Sequence, residues 1–132
     1  MDLARLKPLG ARAALGALFV LAGFSKLVAP DATAAVFASH GIVDPVVLGA
    51  VVGALEIGAG VMLMWGIWQR KVALVLMACV AVLAVVFHSP LALGGVAGRM
   101  HVLDLALDVL VIFGLWRVAT MAAPPVPAPK AS

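Results

Sequence analysis

Six ionisable side chains of this sequence lie inside or at the ends of long apolar stretches: Lys26, Glu56, His88, His101, Asp104 and Asp108. In such a setting their chemistry is proton exchange, ligand binding or ion pairing. Glu56 is the most isolated. The stretch from Val46 to Trp68 is twenty-three residues long and apolar apart from this one carboxylate, placed about midway. At ~1.5 Å rise per residue a helix of that length spans roughly 34 Å, enough to cross a bilayer with some tilt. A charge near the midplane costs roughly 3 kcal/mol or more, so Glu56 must face protein or water, and a cation must pair with it if it is to stay ionised. Gly49, Gly53, Glu56 and Gly60 recur at steps of four, three and four, which puts them on one side of the helix, where other backbones can come close.

The other groups fall on related stripes. On the preceding apolar run, Gly16, Gly23 and Lys26 follow a helical line. His101, Asp104 and Asp108, spaced by three and four, share one side of the last run. A pocket open to the outside and floored by Glu56 would satisfy all of them. The simpler assignment is that Lys26 pairs with Asp104 or Asp108, that Glu56 is protonated, and that the set only fixes how the helices assemble. Four buried ionisable groups favour a site over that assignment. Ser25, next to Lys26, is a further ligand candidate, although a serine there more often bonds its own helix. A bis-histidine haem through His88 and His101 is geometrically conceivable but disfavoured, because a histidine at a membrane end commonly just meets water. A metal site of His88, His101 and Asp104 has suitable ligand types but a spacing that is no known ligand signature. The histidines are therefore weak metal candidates, and no cofactor is expected within the chain.

The elements that carry these groups follow from composition. With 132 residues, 65% hydrophobic, 11% charged and mean hydropathy +1.21, the chain has far more apolar surface than a soluble domain could bury, so it is expected to be an integral membrane protein in contact with lipid. The fold expected is all-α, a four-helix transmembrane bundle over residues 1–123 with spans at about 12–29, 46–68, 71–88 and 101–121, followed by a disordered proline-rich tail over 124–132. Pro30 is expected to end span one. Asp31 would cap a short interfacial helix from Ala32 to Ser39 that stops at Gly41, and Asp44 and Pro45 would open span two as cap and first-turn proline. Gln69, Arg70 and Lys71 would form the turn into span three, and Leu91 to Arg99 a glycine-bearing loop.

Met1 to Arg12 with the apolar run after it reads as an uncleaved signal anchor. Seven of the nine basic residues would fall on one side and two, Lys26 and Arg99, on the other, which places both termini in the cytoplasm. The net charge of +3 is scattered around spans and forms no nucleic-acid groove. Cys79 is the single cysteine, so an intrachain disulfide or CxxC pair is excluded.

Gly23-Phe24-Ser25-Lys26-Leu27, Leu55-Glu56-Ile57-Gly58-Ala59-Gly60, Trp65-Gly66-Ile67 before a basic turn, and Phe87-His88 together resemble the DoxX family of DoxX/MauE-like small membrane proteins over roughly Arg12 to Trp116. The resemblance implies a four-helix protein of the bacterial inner membrane associated with a quinone-linked redox enzyme, and it points to Lys26, Glu56 and His88. Asp104 and Asp108 are added from depth and spacing alone. On this reading Glu56 or His88 exchanges a proton with a bound quinone, and a redox-enzyme partner subunit supplies the electrons. The alternatives are a non-catalytic membrane anchor or assembly factor, and a small transporter or proton conduit, for which a homo-oligomer would supply the symmetry that one copy lacks.

Overall fold

The computed structural model describes residues 3–87 and 96–121, with side chains described from Leu9 to Phe87 and from Leu103 to Met121. It is all-helical. The order is α1 (Leu3–Val28), α2 (Pro30–Ser39), α3 (Pro45–Trp65), α4 (Gln69–Phe87) and α5 (Val96–Thr120). Three stretches, Leu9–Val28 in α1, Pro45–Trp65 and Gln69–Phe87, are long and apolar enough to cross a membrane. The fifth helix is also long enough, but Arg99, Asp104, Asp108 and Arg117 interrupt its apolar character.

The helices associate as two close pairs, α1 with α3 and α4 with α5, with α2 laid against α3. The first pair runs antiparallel. Gly16 meets the Gly60 carbonyl and Gly23 the Gly53 carbonyl, so each backbone enters the space that a side chain on the other would fill. Both helices repeat the contact after seven residues, which is close to two full turns and keeps it on one side. Gly49, Gly53, Glu56 and Gly60 are all buried, the face expected from their spacing.

A core of Phe19, Leu63, Val72, Ala73, Leu76, Leu115, Val118 and Ala119 joins the two pairs at one end of the molecule, where α3 turns into α4 and α5 finishes. Polar bonds tie the same end together. Arg12 Nη1 donates to Gln69 Oε1 at 3.1 Å, and Gln69 Nε2 donates to the Val118 carbonyl at 2.8 Å, linking α1, α4 and α5.

Several boundaries differ from the sequence expectation. Pro30 opens α2 at its first position, where a missing N–H costs nothing, and Ala29 occupies the cap with no side-chain bond. Asp31 is therefore in the first turn, where its charge still complements the helix dipole, and does not cap. Asp44 does occupy the cap of α3, but its backbone is left-handed (φ 52°) and its side chain makes no capping bond. The third helix ends at Trp65, three residues early, because Gly66 adopts φ 77° and closes it with bonds from Gly66 N to Leu63 O (3.1 Å) and Ile67 N to Met62 O (2.9 Å). Gln69, Arg70 and Lys71 then form the first turn of α4, the connection being Gly66, Ile67 and Trp68. Residues Val96 to Arg99, expected in a loop, already belong to α5. The rest of that expected loop before Val96 and the 124–132 tail lie outside the described residues.

The glycine contacts make a graded prediction. A Cβ at Gly60 would stand 2.7 Å from the Gly16 carbonyl oxygen, whereas one at Gly58 meets nothing within 4 Å. Gly60→Val should push α1 off α3 and cost about 1–3 kcal/mol, read as a lowered midpoint of thermal unfolding in detergent by circular dichroism. Gly58→Ala should leave that midpoint within a degree or two of the parent.

Candidate functional site

Lys26 and Glu56 meet across the α1–α3 contact, with Lys26 Nζ donating to Glu56 Oε2 at 2.8 Å. Their meeting follows from the glycines. Gly23 and Gly53 are in contact, Lys26 is one turn past Gly23, and Glu56 is one turn past Gly53 on the antiparallel partner. Helical side chains lean toward their own N-terminus, so on antiparallel helices these two lean toward each other. Lys26 Nζ also lies 3.4 Å from the Ala22 carbonyl, one turn back on α1. Glu56 is 4% exposed, and the side chain of Lys26 about one-fifth. The partner of Lys26 is therefore Glu56, and not Asp104 or Asp108 as in the assembly-only assignment weighed from the sequence. A carboxylate directly across a two-glycine contact is nearer than one on α5, a helix that touches α1 far less.

Beside the pair lies an open cavity of about 410 Å³, set in the cleft between the α1/α3 pair and the α4/α5 pair. Its polar lining is Lys26, Glu56, His40 and Asp108. The rest of the lining is apolar. Phe19 separates the cavity from the closed core at the other end, and Val80, Leu83 and Phe87, spaced along one side of α4, form a wall. The second helix, with His40 directly after it, covers part of the cavity through Val36, Phe37 and that histidine. It is held there by the Thr33 hydroxyl donating to the Lys26 carbonyl (3.3 Å), by Thr33 against Gly49, and by Phe37 on Phe87 with ring centroids 5.1 Å apart.

The residues anticipated from sequence distribute unevenly around this cavity. Lys26, Glu56 and Asp108 line it together. Asp104, one turn from Asp108, is exposed and outside the lining. Ser25 is exposed and donates to the Ala22 carbonyl of its own helix at 2.8 Å. His88 lies outside the described residues, as does the side chain of His101. Among the described residues, no three His, Cys, Asp or Glu side chains group as a metal site.

His40 is the lining residue that the sequence reading missed. It follows the short helix directly, and its ring packs edge-on against Phe87 at 4.6 Å. No local pattern singles out a histidine one residue beyond a short helix; the fold of α2 over the bundle places it in the cavity lining.

These features define a small multi-pass membrane protein with an ion pair at the side of a largely apolar cavity between its helix pairs. The model of the DoxX family matches residues 8–89, more than half of the chain, and the protein belongs to that family. No curated protein and no solved structure matches it significantly.

The pairing makes the carboxylate dependent on its cation. Lys26→Met leaves a buried Glu56 without a partner and should cost about 3–5 kcal/mol, whereas the double variant Lys26→Met/Glu56→Met should recover most of that loss. Unfolding of the two single variants and the double variant in detergent, analysed as a thermodynamic cycle, measures the coupling.

Proposed function

We propose that the protein is a quinone-binding subunit of, or accessory to, a membrane redox enzyme, with the quinone ring held in the cavity beside Lys26 and Glu56. The observation that carries this reading is an ion pair at the wall of an open and otherwise mostly apolar cavity. A volume of about 410 Å³ falls in the range of small-molecule sites, and a few convergent polar groups in an apolar, aromatic lining is their usual composition. A quinone ring has flat apolar faces suited to Phe37 and Phe87, and two oxygens that need polar partners. The Lys26 ammonium can donate to one of those oxygens, and the Glu56 carboxylate can accept from it once it carries a proton.

In this reading the chain positions the ring and exchanges protons, and a partner protein supplies or takes the electrons. Glu56 is the proton-exchanging group among the described residues, and Lys26 fixes its orientation and offsets its charge. His88 remains a second candidate for proton exchange, from the family resemblance. The location proposed is the bacterial inner membrane, with four spans and both termini cytoplasmic. The closed end with Arg12, Arg70, Lys71 and Arg117 would face the cytoplasm, and the cavity the opposite side.

A second reading is favoured by one observation, the position of the ion pair directly beyond the Gly23–Gly53 contact. There it could serve only to fix α1 against α3, with the protein acting as an anchor for a larger assembly. The two readings separate in one preparation. After gentle purification, solvent extraction should yield close to one quinone per wild-type chain, and roughly tenfold less from Glu56→Gln and Lys26→Met that still elute as folded protein. Unchanged quinone content in both variants, or none in wild type, would remove the site. A stoichiometric partner recovered without quinone, from wild type and Glu56→Gln alike, would favour the anchor.

A further inference from the structure

His40 brings to the cavity a polar atom whose hydrogen-bonding character the backbone fixes. Its Nδ1 lies 2.8 Å from the Val36 carbonyl oxygen, one turn back on α2, and 3.1 Å from Ser39 Oγ. A carbonyl oxygen only accepts, so Nδ1 must be the protonated nitrogen of the ring. The Ser39 hydroxyl donates to the same carbonyl at 2.7 Å, so its proton is already engaged. In the neutral ring Nε2 is then a bare acceptor, and it makes no hydrogen bond to any described residue. The other neutral tautomer would set a lone pair of Nδ1 against the carbonyl, and a flipped ring would put a C–H there and lose the bond, while the edge-on contact with Phe87 further restricts the ring.

Lys26, His40, Phe37 and Phe87 all line the cavity; Lys26 offers it a donor, and the acceptor that the His40 ring can offer is Nε2. A ring bearing a hydroxyl satisfies this set. A ring bearing only carbonyl oxygens satisfies Lys26 but sets a lone pair against that of Nε2. We propose that His40 is the second polar contact of the cavity's ligand, accepting through Nε2 a hydrogen bond from a ring hydroxyl, so that the site prefers the reduced, dihydroxy form of the quinone to the oxidised form. This deepens the quinone reading above and rests on it. No electron transfer is involved in the preference itself, which is a difference between two binding equilibria. By linkage, a site that binds the reduced form more tightly makes the bound quinone easier to reduce than the free one.

The test uses the full chain in detergent under argon at pH 8, with decylubiquinone and decylubiquinol as probes and calorimetric titration as the readout. Wild type should bind the quinol about fivefold more tightly than the quinone, the size of one net hydrogen bond. His40→Phe keeps an aromatic ring against Phe87 and removes both nitrogens. It should bring the ratio near one while leaving quinone affinity within about twofold. His40→Gln can place its amide oxygen where Nε2 stood and should recover part of the preference. A wild-type ratio near one, or a ratio unchanged in His40→Phe, overturns the assignment of His40 and leaves the quinone site standing. Binding of neither probe by wild type overturns both.

Discussion

An ammonium and a carboxylate 2.8 Å apart, flanked by the close backbone contact of Gly23 with Gly53, set the terms for the other helices. Either charge alone would be expelled from an apolar interior. Together they are tolerated because the glycines at 23 and 53 let α1 and α3 approach until the side chains one turn beyond them meet. The dependence runs both ways. The glycines supply proximity without direction, since an apolar stripe against another apolar stripe in lipid has little reason to prefer one register. The ion pair supplies the register, because a shift of one turn along either helix would leave both charges unmatched.

That pairing also explains why the cavity is where it is. Two tightly associated helix pairs cannot close on each other along their whole length unless large side chains fill the cleft between them. At the end with the α3–α4 turn they are filled by Phe19, Leu63, Leu76 and Leu115, and the Arg12–Gln69–Val118 bonds fasten the closure. Toward the other end the side chains facing the cleft include Ala22, Lys26 and Glu56 on one pair and Val80, Leu83 and Asp108 on the other. The charged ones resist being pressed against an apolar wall. The cleft therefore stays open on the polar side, and α2 covers only part of it.

Much of this was legible because intramembrane sequence is sparse in polar residues. Glu56 and the glycines at 49, 53 and 60 announced their face through spacing, and the stripe of Gly16, Gly23 and Lys26 announced its complement. What sequence left open was which acidic group Lys26 would meet. Asp104, Asp108 and Glu56 all lay within plausible reach, and only the antiparallel glycine register distinguishes them. The ends of the elements were obscured by residues with two uses. Pro30 can stop one helix or start the next, and Gly66 could be part of the apolar run or its stop. The close seat of the Arg12 guanidinium over Gly66 is a tertiary contact that no local pattern contains. His40 was missed for the same reason, since its role depends on where α2 lies.

The placement of α2 bears on whether the polar groups serve only assembly. For assembly alone, the ion pair needs no access, and the cheapest arrangement would bury both charges beneath large apolar side chains from α4 and α5. Instead the side chain of Lys26 keeps about one-fifth of its surface open, the facing wall of α4 stands back, and the covering segment ends in an exposed histidine whose engaged Nδ1 leaves the other nitrogen available. Each of these costs packing that a structural staple would have no reason to forgo. A cavity that retains donors and acceptors beside aromatic residues is better suited to a flat ligand that carries both kinds of surface, and under the quinone reading proposed above the ion pair would serve two ends, holding α1 on α3 and keeping a proton-exchanging carboxylate at the ligand's edge.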